Sequence, residues 1–386
     1  MDAVFAERRK SRRLHLWVFS NEVARVEGNP GPGDVVSVHD HGTFTGNAIY
    51  SPHSLIRARI FSSDRRDLDQ PLLKQRIQGA LDYRRRVLPE ENDFRLVYGE
   101  SDMLPGLVID KYGDHLALQV YAAGMEQRLD RIVAALRELF PVASVYARNS
   151  FRLREHEGLP QYEKPLAGAP PDSALIREQG VRFNVDVTHG QKTGFYFDQR
   201  ITRRRVRALS AGRSVLDLFC YSGGFAVNAA LGGATSVLAV DSSEPAIALG
   251  RRNAELNGVG ERVQFNVADV SRSLRTLNSE KRKYDLIVLD PPPLAQRAKD
   301  KPKGLRAYRD LNYQAMKLLS PEGILVTCSC SHHVSWQDLL GAALQAAQGC
   351  GREFRVLERI GAGPDHPVLL SMPETEYLRC YVLQAV

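Results

Sequence analysis

The stretch VTCSCSHH, residues 326–333, sets two of the chain's five cysteines two positions apart at the end of an apolar run. A thiolate is a nucleophile and a free thiol is also a small hydrophobe, so Cys328 and Cys330 pose a choice between chemistry and packing. Three acids pose a similar one. Asp217 lies in SVLDLF before the turn CYSGGF, Asp241 ends SVLAVD 24 positions later, and Asp290 ends YDLIVLD ahead of Pro291, Pro292 and Pro293. A glycine-bearing turn before a helix, with an acid at the next strand's tip, suits an adenosine ligand whose ribose hydroxyls bond a carboxylate. The dinucleotide pattern GxGxxG is absent: Phe219 and Tyr221 stand where glycines would let backbone meet a pyrophosphate, and only Gly223 and Gly224 remain. A ligand without a diphosphate fits better, and S-adenosylmethionine is one. The acid-Pro-Pro at 290–292 places a rigid carboxylate where open α/β sheets bind ligands, although a proline-rich turn closing a strand reads almost as well. No aromatic follows it to stack on a base, which counts against methylation of an exocyclic amine.

These groups need a scaffold. From about residue 187 the pattern is strand–helix–strand: SVLDLF, SVLAVD, VQFNV, YDLIVLD and GILVTCSC are Val/Ile/Leu-rich runs of strands buried on both faces. Between them GFAVNAAL, EPAIALGRRNAELNG, LRAYRDLNYQAMKLL and SWQDLLGAALQAAQG read as helices. EFRVLERI and EYLRCYVLQ follow without an intervening helix long enough for a crossover, so they pair antiparallel. The expected fold is α/β, a doubly wound, mostly parallel seven-stranded sheet of Rossmann type. Upstream, residues 94–186 alternate strands with the amphipathic helix EQRLDRIVAALREL, as in an α+β domain. Residues 33–61 give short strands broken by PGPGD, HDHG and SPHS, as in a small β-barrel. The helix PLLKQRIQGALDYRRRVL connects them, with Leu73, Ile77, Ala80 and Leu81 on one stripe and Lys74, Gln75, Arg84 and Arg85 largely off it. The expected domains are 1–68, 69–186 and 187–386.

Composition narrows the partners. The 386 residues carry a formal charge of +7 and a sequence pI near 9.1. Basic residues gather at 8–13, 84–86, 203–207 and 297–309, which favours a polyanion such as nucleic acid. AKDKPKG (298–304) reads as a mobile basic loop near RNA. No apolar run reaches membrane-span length and the start lacks a signal-peptide core, so a cytoplasmic chain with no membrane partner is expected. An odd number of cysteines, without a CxxC pair, gives neither a disulfide framework nor a metal site.

EHEGL (155–159), VDVTHGQKTGFYFDQR (185–200), VLDLFCYSGGFAVNAALGGA (215–234), VLDPP (288–292), YRDLN (308–312) and GILVTCSCS (323–331) together resemble the ribosomal RNA large subunit methyltransferase I family. The resemblance runs in order along essentially the whole chain, strongest over 155–331 and weakest over 1–70. It implies a PUA-like RNA-binding domain, a central α+β domain and a class I methyltransferase domain, with S-adenosyl-L-methionine as cofactor. It further implies formation of 5-methylcytosine in 23S rRNA, with the partner being that RNA or the assembling large subunit. By the same likeness Gln191, Lys192, Thr193, Phe195, Tyr196, Asp198 and Arg200 belong to a loop over the cofactor. Asp217, Phe219, Cys220, Tyr221, Ser222 and Gly223 surround its methionine part, Asp241 with Ser242 holds the ribose, and Asp269 meets the adenine. Asp290 and Pro291 also count among the cofactor residues, Asp290 faces the target base, and Cys330 is the nucleophile, leaving Cys328 to pack.

That chemistry has a physical rationale. C5 of cytosine is a poor nucleophile until a thiolate adds at C6, so covalent catalysis divides one difficult step into easier ones. Many RNA cytosine-5 methyltransferases carry a second cysteine after the strand-four proline; DPPPLAQ has none, so the base that removes the C5 proton is unnamed. His332 and His333 read equally as turn residues or proton carriers. Competing readings are methylation of another atom or base (uracil C5, a guanine amine) and a non-catalytic RNA-binding module, with the oligomeric state, monomer or homodimer, left open.

Overall fold

The computed structural model describes residues 2–9 and 12–386, so Lys10 and Ser11 of the first basic cluster lie outside it. The chain divides into two compact units: residues 1–176, 185–197 and 364–375 form one, and 177–184, 198–363 and 376–386 the other.

The first unit holds two sheets. Ala3–Ala6 (β1), Trp17–Phe19 (β2), Val23–Glu27 (β3), Val35–Asp40 (β4), Thr43–Tyr50 (β5) and Ile56–Ser62 (β6) form a six-stranded sheet in the order β2-β6-β5-β4-β1-β3. Its core is Val4, Val18, Val36, Val38, Ala48, Ala58 and Ile60. Of these strands only β4, β5 and β6 are legible in the sequence; β1 and β2 are too short to show an alternation. Helix α1 (Gln70–Val87) begins where Asp69 accepts the Leu72 N–H at 3.0 Å and Pro71 occupies the first turn. The second sheet, β11-β10-β9-β8-β7, contains Phe94–Tyr98 (β7), Leu107–Tyr112 (β8), His115–Val120 (β9), Ser144–Asn149 (β10) and Tyr162–Ala167 (β11). Helix α2 (Ala123–Glu126) and α3 (Leu129–Leu139) divide the single helix expected from EQRLDRIVAALREL. Strand β11 escaped the sequence reading because Pro165 interrupts it, which an edge strand tolerates.

Arg84 corrects the helical stripe. Placed off the buried face by sequence, it is fully buried, donating to the Arg95 carbonyl at 2.9 Å and the Asp365 carbonyl at 2.8 Å and pairing with Asp102. It follows Ala80 by one helical turn, so position dictates burial and the guanidinium is satisfied internally.

The second unit is built on Ser214–Leu218 (β14), Ser236–Asp241 (β15), Val263–Val267 (β16), Tyr284–Leu289 (β17), Leu319–Ser329 (β18), Phe354–Ile360 (β19) and Arg379–Ala385 (β20), after a small sheet of Ala174–Glu178 (β12) and Val181–Val185 (β13). The seven-stranded order is β16-β15-β14-β17-β18-β20-β19. All pairings are parallel until β20, which runs antiparallel to both β18 and β19. Order reverses at β14/β17, which is where such sheets open a ligand crevice at their strand tips. Helices Arg200–Leu209 (α4), Gly224–Leu231 (α5), Glu244–Leu256 (α6), Val270–Ser279 (α7), Lys301–Lys317 (α8) and Trp336–Cys350 (α9) complete it. Residues 301–304, read from sequence as loop, are the first turn of α8; Pro302 is as acceptable there as in a loop, and Lys301 is held by Asp338 at 2.7 Å.

Several residues of the basic clusters are paired with acids. Arg8 is buried against Asp40 at 3.2 Å, Arg203 is buried against Glu178, Arg205 pairs with Glu358, and Arg297 pairs with Asp300 at 2.8 Å. No helix among the described residues is long and apolar enough to cross a membrane.

Candidate active site

The turn after β14 is made by backbone that its residues would not choose. Phe219 and Tyr221 adopt left-handed conformations (φ 62° and 47°), as does Gly223 (φ 77°). The backbone takes a glycine-like turn despite these aromatics, at about 1–2 kcal/mol for each side chain so placed. The compensation is visible. The Cys220 N–H donates to the Val240 carbonyl at 3.1 Å, the Tyr221 N–H to the Asp241 carboxylate at 2.9 Å, and the Gly223 N–H to the Cys220 carbonyl at 2.8 Å. Gly223 itself is required by space: a Cβ there would sit 2.9 Å from the Phe265 ring.

Three carboxyl groups converge on these strand tips. Asp217 is fully buried; one oxygen accepts the Ala226 N–H at 2.9 Å and Oδ1 has no hydrogen-bond partner. Burial, followed by the nearby charges of Asp290 and Asp241, pushes its pKa up to about 8 against the opposing Ala226 hydrogen bond. Asp241 takes the Tyr221 N–H on one oxygen and the Ser243 N–H on the other, both at 2.9 Å, leaving lone pairs on each for hydroxyl donors. A crevice with this charge repels a diphosphate and favours a ligand bearing ammonium and sulfonium groups, so an unpartnered buried oxygen at Asp217 fits the methionine part of S-adenosylmethionine. Ser242 is exposed beside Asp241. Asp269 is exposed too, and its carboxylate caps α7 by accepting the Arg272 N–H at 2.7 Å.

Cys330 follows the last residue of β18 and is half-buried, its Sγ 3.7 Å from the Pro291 carbonyl oxygen. Asp290 joins the same tips through its N–H to the Leu218 carbonyl at 3.4 Å. Cys328, two residues back, is fully buried in register with Cys380, and burial holds its thiol well above the usual range. Strand alternation sends Ser329 to the other side of the sheet, where Tyr308 of α8 waits. Ser329 donates to the Tyr308 hydroxyl at 2.9 Å, that hydroxyl lies 3.0 Å from Ser331 Oγ, and Ser331 Oγ accepts the Ala295 N–H at 3.2 Å. One buried phenol therefore clamps both neighbours of Cys330 and, through Ser331, the segment following Asp290-Pro-Pro. Burial above all pushes the Tyr308 pKa up to about 12, and a Cys330 thiolate adds to that shift, so the phenol keeps its proton. YRDLN contained the signal, since Asn312 one turn on bonds the Tyr308 carbonyl at 2.8 Å, but spacing alone gives no role. His332 and His333 are exposed, the His332 ring 5.3 Å from Tyr377.

The remaining expected residues divide between the units. Asp198 and Arg200 are buried in the second, Asp198 bonding the Tyr377 hydroxyl. Residues 191–196 belong to the first. There Thr193 is buried and bonds Asp110, the Phe195 N–H donates to the Tyr112 hydroxyl at 3.2 Å, Tyr196 donates to Gln191 at 2.6 Å, and Lys192 lies over the Tyr196 ring at 4.3 Å.

A family model described as S-adenosylmethionine-dependent methyltransferase matches residues 126–372, and a PUA-like domain model matches residues 6–63. The sheet order and strand-tip site are accordingly those of a class I S-adenosylmethionine-dependent methyltransferase carrying an N-terminal PUA-like domain. Ribosomal RNA large subunit methyltransferase I of Klebsiella pneumoniae (strain 342) is 37% identical over 380 residues, covering 97% of this chain and 95% of that protein. The protein of the same name from Pseudoalteromonas translucida (strain TAC 125) is 39% identical over 374 residues, covering 95% and 94%. The chain belongs to the ribosomal RNA large subunit methyltransferase I family. A Streptococcus mutans structure described as a SAM-dependent methyltransferase shares the fold over 100% of both chains, with a TM-score of 0.86 and 24% identity.

Proposed function

We propose that this protein forms 5-methylcytosine in 23S rRNA through a covalent adduct between Cys330 and cytosine C6. The observation that carries the reading is the contrast between the two thiols: Cys328 is enclosed, whereas Cys330 is half-buried with its sulfur 3.7 Å from the Pro291 carbonyl oxygen, beside the acid-Pro-Pro tip. The chain works in three parts: residues 1–68 as a PUA-like RNA-binding domain, 69–186 as a central α+β domain and 187–386 as the methyltransferase, in the cytoplasm on the RNA or the assembling subunit.

S-adenosylmethionine, when bound, supplies an electrophilic methyl group. Asp217, with Phe219 to Gly223, would receive its methionine part, Asp241 with Ser242 its ribose and Asp269 its adenine; Gln191, Lys192, Thr193, Phe195, Tyr196, Asp198 and Arg200 are the further cofactor-binding residues of this reading. The Cys330 thiolate adds to C6, forming an Sγ–C6 bond and making C5 nucleophilic. Asp290 bonds the N4 amine and assists protonation at N3, stabilising the adduct. Once C5 is methylated, loss of its proton and breakage of the Sγ–C6 bond restore the ring and the thiolate. A base within a helix must first be unstacked, at about a few kcal/mol.

RNA containing 5-fluorocytosine blocks the final proton loss, so incubation with cofactor should yield a protein–RNA adduct stable to denaturing gels. Cys330→Ala should form none and transfer no methyl group. Turnover by that variant, or methyl groups appearing at uracil or a guanine amine in mapped rRNA, would exclude the mechanism.

A further inference from the structure

We infer that the cleft framed by Arg66, Arg76 and Ser101 in the first unit binds a phosphate of the RNA backbone. Its volume is about 420 Å³, within the size range of small-ligand clefts. It lies between the connector that follows β6, the middle of α1 and the turn at 99–102. Arg66 stands three residues beyond the PUA-like match. It reaches only Gln75, at 3.3 Å, and Arg76 donates to the Met103 carbonyl at 2.8 Å; among the described residues neither has a carboxylate partner. The one acid in the wall, Asp102, is already committed, pairing with buried Arg84 and accepting the Tyr98 N–H at 2.6 Å. The lining therefore keeps the charge of two arginines, and Ser101 adds a buried hydroxyl with no hydrogen-bond partner.

Two further facts agree. Burial and the neighbouring Arg66 charge push the Arg76 guanidinium down to about 10, a penalty an anion between them would relieve. Gly79 lines the same cleft inside an 18-residue helix, where glycine is unfavourable, yet nothing lies within 4 Å of where its Cβ would be. No protein packing demands that glycine, and the space beside it is open to a ligand. Arginine forks suit phosphate oxygens geometrically, and the hydroxyl adds a donor. That the phosphate belongs to RNA rests on the rRNA reading above.

The test uses the full chain and an rRNA fragment, measuring affinity at 50–200 mM salt alongside methyl transfer. One phosphate held between the two arginines makes the salt slope steeper by about 1, so the advantage of the parent over the Arg66→Ala/Arg76→Gln variant should shrink about three- to fourfold across that range. The Michaelis constant for RNA should rise while the rate at saturating RNA stays unchanged. Gly79→Leu, which fills the cleft without touching charge and favours the helix, should weaken RNA binding without lowering Tm. Parent-like affinity and salt slope in both variants would overturn the proposal. So would saturation of Arg76 by inorganic phosphate, followed by NMR, that leaves RNA affinity unaltered. Loss of affinity in variants of a protein that methylates no cytosine would sink the mechanism above and leave the cleft standing; methylation at parental affinity in both variants would do the reverse.

Discussion

Replacing Tyr308 by Phe removes one oxygen and no bulk, so it isolates what the serine clamp does for Cys330. Two hydrogen bonds go, to Ser329 at 2.9 Å and Ser331 at 3.0 Å. Each has a net worth of about 1 kcal/mol, and the fully buried Ser329 hydroxyl is left without its acceptor, adding about 1–3 kcal/mol. A loss of about 3–5 kcal/mol corresponds to a fall in Tm of about 6–20 °C for a domain of this size. The functional effect should exceed the structural one. With both neighbours of the proposed nucleophile loosened, a shift of the sulfur by about 1 Å would cost up to 100-fold in rate. The assay is methyl transfer to rRNA at saturating cofactor, below the lowered Tm, with trapping on 5-fluorocytosine RNA as a direct measure of thiol attack. The turnover rate and the trapping rate should fall together by at least tenfold while the RNA Michaelis constant holds. Pairing the change with Ser329→Ala should restore part of the stability, because the stranded hydroxyl is removed, less the 3.3 Å bond it accepts from the Ser331 N–H. A variant that loses stability yet traps RNA at the parental rate would refute the reasoning and reduce Tyr308 to a packing residue.

Cys328→Ala should keep adduct formation and lose about 1 kcal/mol in urea unfolding, the inverse of Cys330→Ala. For Asp217, the pKa raised to about 8 means the folded chain retains a proton that the unfolded chain releases near 3.8. Its contribution is therefore full below pH 3.8 and is lost as pH rises towards 8, by at most about 1.4 kcal/mol per unit. Asp217→Asn should flatten the stability profile over that window, and an unchanged slope in denaturation at pH 5 to 8 would count against the assignment. Arg203→Met leaves the buried Glu178 without the two 2.6 Å bonds it accepts, and should cost about 3–5 kcal/mol. Adding Glu178→Met should recover much of that, as read by the denaturation midpoint.

Periodicity made the seven-stranded sheet legible because its strands are buried on both faces and read as unbroken apolar runs. It failed where signals are short or carry two meanings. β1 offers four residues and β2 three, and a proline disguises β11. The polar Arg84 was set outside the core because a sequence cannot display the carbonyls that satisfy a buried guanidinium. At the site, residue types and strand tips were readable for Asp217, Asp241, Asp290 and the two cysteines, since each ends or follows an apolar run. The turn at 219–223 was not: its left-handed aromatics are supported by contacts with Val240 and Asp241, twenty positions away along the chain. Tyr308 was visible only as a letter in YRDLN, because its partners are 21 and 23 residues distant.

Strand β20 lies between β18 and β19, although it comes after both in sequence. During synthesis β18 has β17 on one flank and an open row of amides and carbonyls on the other until residues 379–385 have left the ribosome. The turn carrying Cys330 thus hangs from a half-zipped strand while residues 330–378 are made, and a chain interrupted before position 379 would hold a thiol without a finished cradle as well as an edge prone to sticky pairing.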